Sequence, residues 1–449
     1  MQAEAKSTKL PFDLPDGWSE EQLNTLADIN PESLGGGTSA SFEFRYIDIS
    51  PVEHGVINWD DVTTQTFADA PSRARRVVRP KDTLLCTVRP ALQAHTFAYW
   101  QDKDGFICST GFAVIRAKNQ NEPRYLYHQI FSDYVAGQIR RLEIGSSYPA
   151  INENDVRSLV LVVAPPPEQR RIAEVLDAVG AAIQRTDALI NKLKWMKAGL
   201  LHDLLTRGLD RDGKLRDHVR NPEQFKDSPL GLIPKEWDVC TLEQLTESAV
   251  DGPFGSNLKT EHYINRPEVR VVRLQNIEVG YFNETDEAYV SYSHADKLKR
   301  YAVVAGDLLI ASLGDDRHPL ARACLYPSTG QPAIVKADCF RFRLKSSLAL
   351  HAYVMHMLNC PSTRGDINQR GQGVTRDRVN LTSLKQVRLT KPSVLEQGYI
   401  VDALAAHDAR IRCEEAKRDK LILIKKGLMH DLLTGRVRVP VTKSEVVAV

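Results

Sequence analysis

The sequence lacks the features that mark secreted, disulfide-bonded and membrane proteins. Its seven cysteines form no CxxC pair, which argues against a zinc ribbon or a disulfide framework and favours reduced thiols. The N-terminal segment has no apolar stretch of the kind found in signal peptides, and no apolar run approaches the roughly 18 residues of a membrane span. We therefore expect a cytoplasmic protein that does not associate with a membrane.

Sequence motifs of catalysis are also missing. The glycine-rich stretch DGPFGSNLK (251–259) lacks the spacing of a P-loop, and no HExxH zinc motif occurs. There is no NPP[YF] or DPP[YF] tetrapeptide and no glycine-rich nucleotide loop following a strand, which argues against methyl transfer by this chain. We predict that the chain is not an enzyme and that it holds no metal ion.

What the sequence does contain is a repeat at a spacing of 228 residues, without a gap, through a long helical segment. GLLHDLLT (199–206) returns as GLMHDLLT (427–434), and Glu168 returns as Glu396. Two copies of a rigid element, each preceded by a domain, describe a single-chain pseudo-dimer with two reading heads. An old duplication without any measuring role is the alternative, but it does not explain why the two preceding domains differ in sequence.

Each copy of the repeat is predicted to be a long helix. Apolar residues of the first copy recur at alternating steps of four and three, which is the 3.5-residue period of a coiled-coil seam, whereas the second copy has a more charged centre. The residues expected to pair the two helices are Ile172, Leu176, Ile183, Ile190, Leu193, Leu200, Leu204, Ile400, Leu404, Ile411, Leu421, Leu428 and Leu432. We expect the two helices to pair antiparallel.

Composition changes along the chain divide it into six parts. The predicted parts are a first domain at 1–164, a long helix at 165–207, a polar linker at 208–232, a second domain at 233–392, a second long helix at 393–435 and a C-terminal tail at 436–449. Short apolar, β-branched runs in both domains predict sheet-rich cores with some helices. The predicted fold class is therefore mixed α/β (α+β) in a pseudo-twofold arrangement.

The net charge of +2 only weakly favours a nucleic-acid partner, so any DNA-binding surface must be local. Basic residues cluster in both domains, and Arg, Asn and Gln contact phosphates and base edges in such sites, although basic runs beside strands are usually solvated faces. The candidate DNA-binding residues are Arg73, Arg75, Arg76, Arg79, Arg89, Gln93, Ser146, Ser147, Tyr148, Ser256, Asn257, Lys259, Arg273, Gln275, Arg317, Arg370, Gln372, Thr375 and Arg376. Two loops at matched positions, 144–151 and 372–379, strengthen this interpretation.

Several motifs together resemble the specificity (S) subunit of type I restriction–modification systems. They are PPPEQRRIAEVLDAV with GLLHDLLTRG, their second copy, the linker DGKLRDHVRNPEQFKDSPLGLIPKEW, and DGPFGSNLK, VRVVRLQNI and AGDLLIASLGDDRHPLARACLYP. The resemblance covers nearly the whole chain. It departs where the second copy reads PSVLEQ in place of PPPEQ, and where Ala321 stands in place of an expected glycine.

This resemblance implies a non-catalytic DNA-recognition subunit. The two domains would be target recognition domains, each reading one half of an asymmetric, interrupted DNA sequence, and the paired helices would set the gap between the halves. The partners would be double-stranded DNA, two methyltransferase subunits and, in a restricting system, two restriction subunits. S-adenosylmethionine, ATP and Mg²⁺ are expected on those partner subunits and not on this chain.

Two other functions stay open at this point. A coiled-coil scaffold that binds only proteins predicts no salt-dependent affinity for DNA in any assembly. A self-sufficient DNA methyltransferase or nuclease with unrecognised motifs predicts methylation or cleavage by the isolated chain.

Overall fold

The computed structural model describes residues 13–101, 105–118, 120–145, 147–210, 212–371 and 377–441. The chain forms two compact units, and each contains parts of both long helices. The first unit comprises Met1–Asp187 and Glu415–Val449, and the second comprises Ala188–Glu414. The units therefore do not coincide with the segments predicted from composition, because each long helix begins in one unit and ends in the other.

In its described residues the first unit contains twelve strands and four short α-helices. Its strands are β1 (Ser19–Gln22), β2 (Ala27–Ile29), β3 (Glu43–Ile47), β4 (Val52–Glu53), β5 (Val56–Ile57), β6 (Thr63–Thr66), β7 (Ala74–Val77), β8 (Thr83–Cys86), β9 (Thr96–Phe97), β10 (Phe106–Ser109), β11 (Phe112–Ala117) and β12 (Val160–Val163). Its helices are α1 (Leu23–Leu26), α2 (Pro123–Ile130), α3 (Asp133–Leu142) and α4 (Glu153–Ser158), after which the long helix α5 (Pro166–Thr206) begins.

Two four-stranded sheets form the core of the first unit, in the orders β6-β3-β10-β7 and β2-β11-β8-β9. The strands β3 and β10 run parallel, and the other neighbours in these sheets run antiparallel. The ribbon of β1 and β12 brings the start of the domain beside its last strand, immediately before α5. Pro166 is the first residue of α5, a position where proline's missing N–H has no cost.

The second unit repeats this layout with one more strand in the mixed sheet. Its strands are β13 (Phe225–Ser228), β14 (Gly231–Pro234), β15 (Asp238–Thr241), β16 (Thr246–Asp251), β17 (Tyr263–Ile264), β18 (Val269–Val272), β19 (Tyr289–Val290), β20 (Ala302–Val303), β21 (Leu308–Ala311), β22 (Ala323–Leu325), β23 (Ala333–Val335), β24 (Cys339–Leu344) and β25 (Arg388–Lys391). Its helices are α6 (Leu242–Leu245), α7 (Tyr292–Asp296), α8 (His351–Asn359), α9 (Pro361–Arg370), α10 (Leu381–Lys385) and the long α11 (Val394–Leu433).

The sheets of the second unit correspond to those of the first. The four-stranded sheet β16-β24-β21-β22 matches β2-β11-β8-β9, and the ribbon of β15 and β25 matches that of β1 and β12. The five-stranded sheet β17-β19-β18-β23-β20 again contains one parallel pair, β18 with β23. The mixed α/β fold with sheet-rich cores and long helices is thus as predicted.

One buried ion pair occupies the same place in both units. Asp82, just before β8, accepts hydrogen bonds of 2.9 and 2.8 Å from the Arg116 guanidinium of β11. Asp307, just before β21, accepts bonds of 2.7 and 3.0 Å from Arg343 of β24. Because both carboxylates are almost fully buried, this pair fixes the register of two neighbouring strands in each unit.

The glutamine that follows the repeated glutamate locks each long helix to its domain. The Gln169 amide accepts from the Glu122 N–H at 2.9 Å and donates to the Ala164 carbonyl at 2.8 Å. Gln397 makes the same two contacts, at 2.8 Å to the Leu350 N–H and 3.0 Å to a proline carbonyl. Both glutamines are buried, so the repeat in the sequence reflects a repeated helix anchor.

Within each unit the two long-helix segments run antiparallel. In the first unit Ile172 and Leu176 of α5 pack in one cluster with Leu432 of α11, and further along α5 Asp187 lies 3.8 Å from Arg418. In the second unit Leu204 packs with Ile400 and Leu404. All thirteen residues predicted to pair the helices are buried or half-buried, and Leu193 is among the half-buried ones.

The helix bounds lie within two residues of the predicted ones, but the predicted polar linker differs from expectation. It contains β13 and the start of β14, and it carries the buried side chains of Arg216 and Phe225. Ala321 adopts a left-handed φ of 52°, which explains why glycine was expected there. Within the described part of the chain, no helix is long and apolar enough to cross a membrane. All seven cysteines are free thiols.

Candidate nucleic-acid interface

Two loops of the first unit meet beyond the end of β8. The Ile151 N–H donates to the Thr87 carbonyl at 3.0 Å, and the Arg89 N–H donates to the Pro149 carbonyl at 2.7 Å. These bonds join residues 87–93 to residues 143–151, which we call the first loop pair. Residues 87–93 continue directly from β8, and residues 143–151 connect α3 to α4, so elements of the buried core position the backbone of both loops.

The second unit forms the same two backbone bonds at the matching positions. The Val379 N–H donates to the Ser312 carbonyl at 2.9 Å, and the Gly314 N–H donates to the Asp377 carbonyl at 2.9 Å. We call residues 312–320 with 371–379 the second loop pair, of which 372–376 lie outside the described residues. The two loop pairs share backbone connections and differ in their side chains.

The first loop pair presents an arginine stacked on an exposed tyrosine. The Arg89 guanidinium lies 4.3 Å from the centre of the Tyr148 ring, and Tyr148 is 69% exposed. Arg89 and Gln93 both have left-handed φ angles, of 48° and 51°. Non-glycine residues are rarely held in this conformation outside functional loops, and the turn between them exposes Leu92. This surface offers guanidinium and amide donors together with an aromatic face.

The second loop pair presents a different set of groups. Arg378 forms an ion pair of 2.7 Å with Asp338, and its guanidinium lies 5.5 Å from the ring of Phe254, which is 47% exposed. A side chain on Gly314 would lie 2.7 Å from the Leu320 backbone, so only glycine fits where Arg89 stands in the first unit. Phe254 lies within the glycine-rich stretch DGPFGSNLK (251–259).

Asp251 opens that stretch and has an unusual environment. Burial, and then the negative charge of Asp338, raises the pKa of Asp251 to about 6. The next residue, Gly252, is held against the backbone of Lys336, where a Cβ would lie 2.0 Å from the carbonyl oxygen. Glycine therefore permits the close approach of two chain segments that places Asp251 beside the second loop pair.

The predicted arginine run of the first unit is engaged within its own domain. Arg73 contacts Asp48 and Tyr46, Arg75 lies 4.8 Å from the centre of the Phe67 ring, Arg76 lies 3.5 Å from Glu153, and Arg79 contacts Glu32. These contacts give each of the four guanidinium groups a structural role. As DNA contacts they remain predictions, and the structure does not bring them together with Arg89.

The candidates in the second unit are more dispersed. Gln275, Asn257, Lys259 and Arg317 are exposed, whereas Arg273 pairs with Asp286 at 2.5 Å and Arg370 with Asp366 at 3.1 Å. Ser147 of the first loop pair is exposed beside Tyr148. Ser146, Gln372, Thr375 and Arg376 lie outside the described residues, as does the side chain of Ser256.

Sequence reasoning missed Arg378, Phe254 and Leu92. Arg378 lies in the basic stretch that was singled out, so its position beside the matched loop was an available signal. The exposure of Phe254 and Leu92 has no signal in a single sequence, because an apolar residue in a loop is more often buried. In the parts of the chain that the structure covers, no cluster of His, Cys, Asp and Glu has the makings of a metal site.

A model of the type I restriction modification DNA specificity domain matches residues 56–194 and, a second time, residues 234–422. The chain belongs to this specificity family. The prediction made from the repeat and its motifs is thereby confirmed.

Curated members of the specificity family are distant in sequence but similar over most of their length. The MjaVIII type I restriction enzyme specificity subunit of Methanocaldococcus jannaschii is 20% identical over 339 residues, which cover 75% of each chain. The StySPI specificity subunit of Salmonella potsdam is 23% identical over 302 residues, which cover 66% of this chain and 61% of that one. Specificity subunits are non-catalytic components of type I systems, which recognise DNA and assemble with other subunits.

Solved structures of type I restriction–modification proteins share the fold. A chain from a study of the assembly and conformational transition of a type I system is 22% identical, with a TM-score of 0.59 over 95% of this chain and 100% of that chain. The S subunit from M. genitalium is 14% identical, with a TM-score of 0.56 over 95% of this chain and 98% of that chain. At these identities the likeness shows the architecture alone.

Proposed function

We propose that this specificity protein reads an asymmetric DNA target in two parts, with one half recognised by the domain of each unit. The paired long helices set the separation of the halves, at roughly one turn of DNA. The protein carries no cofactor of its own. It docks two methyltransferase subunits that carry S-adenosylmethionine and, in a restricting system, restriction subunits that use ATP and Mg²⁺.

The observation that carries this proposal is the matched pair of loops. In each unit, two equivalent backbone hydrogen bonds hold the loop pair to the buried core of that unit. The side chains nevertheless differ, because Gly314 of the second loop pair stands where Arg89 stands in the first. Two domains that recognise different half-sites need the same backbone support and different side chains in their loops. The support positions the loop, and the side chains that contact the bases determine which sequence is recognised. Arg89, Tyr148 and Arg378 are the side chains we assign to base or phosphate contact.

The long helices support the measuring role. A continuous helix of 41 residues, such as α5, rises about 60 Å at about 1.5 Å per residue. Its apolar seam packs against α11 within each unit, and the anchors at Gln169 and Gln397 tie the helices to the domains. In this proposal the helix pair is the element that sets the spacing of the two recognition domains.

The direct test is to co-express the chain with the methyltransferase subunit encoded beside it and to map modified adenines across the host genome. A single interrupted motif with two unlike halves is expected. A continuous motif, or two separate motifs of which either suffices, would contradict the proposal. If no modified adenine appears while the subunits still assemble, binding to DNA would be measured directly at several salt concentrations, and its absence would favour the scaffold function.

A chimera sharpens the test. Residues 237–392 are replaced by a second copy of residues 18–164, so that Trp18 takes the place of Trp237 and both helix anchors are kept. The chimera is expected to direct methylation of an interrupted motif with two identical, inverted halves, both equal to the half read by the first domain. Retention of the original asymmetric motif would show that the domains do not carry the specificity.

A further inference from the structure

The repeat places two lysines at equivalent points on the long helices, and among the residues that the structure describes only one of them forms an ion pair. In the second unit Lys197 of α5 forms an ion pair of 2.5 Å with Asp408 of α11. In the first unit the matching lysine is Lys425 of α11, and the residue that matches Asp408 is Gly180 of α5. A Cβ on Gly180 would lie 3.7 Å from the Lys425 Nζ, so the carboxylate is missing at the point where it would meet the ammonium group.

No other group replaces that carboxylate. Within the described residues the Lys425 ammonium has no ion pair or hydrogen bond, and burial, together with the nearby charge of Arg124, lowers its pKa. The nearest carboxylate, Asp177, is already bound by the Arg124 guanidinium and by His128, whose ring nitrogen lies 2.8 Å away. Although burial opposes it, these bonds hold the pKa of Asp177 at about 2.

Burial acts in the same direction on the histidine at this place in each unit. His128 and His356 are matched by the repeat, and burial lowers the pKa of both, that of His356 to about 4. The His128 ring donates a hydrogen bond to the Asp177 carboxylate at 2.8 Å. The group around Lys425 has two cations, Arg124 and Lys425, and one carboxylate, whereas Lys197 and Asp408 balance each other. The first unit thus has one excess positive charge at this point.

Lys425 faces a cavity of about 690 Å³ within the first unit. The cavity is formed between α2, α3 and the end of α11. Its apolar lining includes Tyr127, Phe131, Tyr134, Ile422, Met429 and Leu433. Arg141 and Lys426 also line it, and Asp133 is the single carboxylate among its lining residues. This size and mixture of apolar walls with a few polar groups are typical of small-molecule sites.

We propose that this cavity binds a small amphiphilic monoanion, whose carboxylate, carried on an apolar body, pairs with Lys425 as Asp408 pairs with Lys197. A half-buried ammonium without a partner is unfavourable, and a single carboxylate restores the balance found in the other unit. The apolar lining takes up the body of the ligand. This inference does not rest on the DNA-reading proposal, because none of the lining residues is assigned to the loop pairs except Gln93, which borders both.

The test uses octanoate as the probe and octanamide as its uncharged counterpart, titrated calorimetrically into the full chain at pH 7. Octanoate is expected to bind at least about tenfold more tightly than octanamide, since only the carboxylate pairs with Lys425. Gly180→Asp supplies an internal carboxylate and is expected to weaken octanoate binding about tenfold or more, as is Lys425→Met.

Gly180→Ala is the matched control. It adds the Cβ, which the structure accommodates, and also the helix propensity, but no charge, so it should bind octanoate as the wild type does. Lys197→Met removes the equivalent lysine from the second unit and should leave octanoate binding unchanged. The proposal is overturned if the wild-type chain fails to bind octanoate, if octanamide binds equally well, or if Gly180→Asp binds like Gly180→Ala.

Discussion

Asp82 and Arg116 of the first unit are repeated as Asp307 and Arg343 of the second, with the same two hydrogen bonds. Only a few residues further along the same strands, Arg89 of the first loop pair is replaced by Gly314. The buried ion pair is required by the fold and is the same in both units, whereas the exposed loop residue differs between them. A buried ion pair cannot lose one partner cheaply, so it is retained, whereas an exposed loop side chain is free to vary.

The same contrast applies to the long helices. Their anchors and apolar contacts are repeated in register, but the ion pair of Lys197 with Asp408 has no equivalent in the first unit. The buried contacts are therefore common to both units. We expect positions at which the units differ to be those with different functions in the two units. Substitutions at matched positions test this division.

The largest effect is expected at the matched helix leucines. Leu176 and Leu404 are both fully buried, so Leu176→Glu and Leu404→Glu should each lower the free energy of unfolding by about 4 kcal/mol or more through burial of a charge. Leu193→Glu should cost only about 1 kcal/mol, because Leu193 is half-buried and its carboxylate reaches water. Urea denaturation measures all three. Equal losses at Leu176 and Leu193 would contradict the burial found here.

The next effect concerns the repeated glutamates. Glu396 accepts from the buried Arg216 at 2.5 Å and from the Trp237 indole at 3.0 Å, whereas Glu168 pairs with Arg438, whose side chain is 48% exposed. Glu396→Ala should cost about 3 kcal/mol, because it removes the buried counter-ion of Arg216 and leaves the guanidinium paired with the exposed carboxylate of Glu236 at 3.3 Å. Glu168→Ala should cost about 1 kcal/mol, since Arg438 turns to solvent. Comparable losses for the two variants would show that Glu168 and Glu396 contribute equally to stability despite their different partners.

The long helices and the contacts of Glu396 differ in how well the sequence alone predicts them. The repeat, the prolines before α5 and the apolar period predicted both long helices to within two residues, since these signals are local. The pairing of Glu396 with Arg216 joins residues 180 positions apart in the chain, so no local pattern in the predicted linker could indicate it. The arginine run at 73–79 was ambiguous in the same way, because its carboxylate partners come from distant strands and loops.

Recognition should respond at one half-site only. Arg89→Ala is expected to weaken binding of the assembled complex by about 1–3 kcal/mol if Arg89 contacts a base, and to relax the methylated motif within one half. Arg378→Ala should do the same within the other half. Methylation mapping with each variant distinguishes the halves. A change in both halves from either variant would mean that the loop pairs do not read separate sequences.

The contributions of Glu32, which follows β2, and Asp251, at the end of β16, to folding stability should depend on pH with opposite sign. Hydrogen bonds from Arg79 and then Arg116 lower the pKa of Glu32 to about 2, so its contribution is present above its usual range and is lost as pH falls through about 2. The pKa of Asp251 is raised to about 6, so its contribution is present below its usual range and is lost as pH rises through about 6.

Two variants measure this difference. Glu32→Gln should cost about 1 kcal/mol at both pH 5 and pH 8, since Glu32 is ionised throughout that window and partly screened by solvent. Asp251→Asn should be nearly neutral at pH 4 and should stabilise the protein by about 1 kcal/mol at pH 8. Denaturation midpoints across this range provide the measurement. A stabilisation by Asp251→Asn that did not grow with pH would show that Asp251 is ionised freely in the folded chain.

The smallest effect is expected at the residue before the buried aspartate of the frame. Lys81 precedes Asp82 with a φ of 70°, and Gly306 precedes Asp307 with a φ of 83°. Glycine adopts this left-handed conformation without strain, whereas lysine pays about 1 kcal/mol, partly offset because glycine is freer when unfolded. Lys81→Gly should therefore stabilise the first unit by up to about 0.5–1 kcal/mol. Gly306→Ala should destabilise the second unit by about 1 kcal/mol. A Cβ at Gly306 meets no neighbour, so this loss comes from backbone strain alone. Thermal unfolding of the two variants decides the matter, and a loss of stability on Lys81→Gly would mean that the lysine side chain contributes contacts that outweigh its backbone strain.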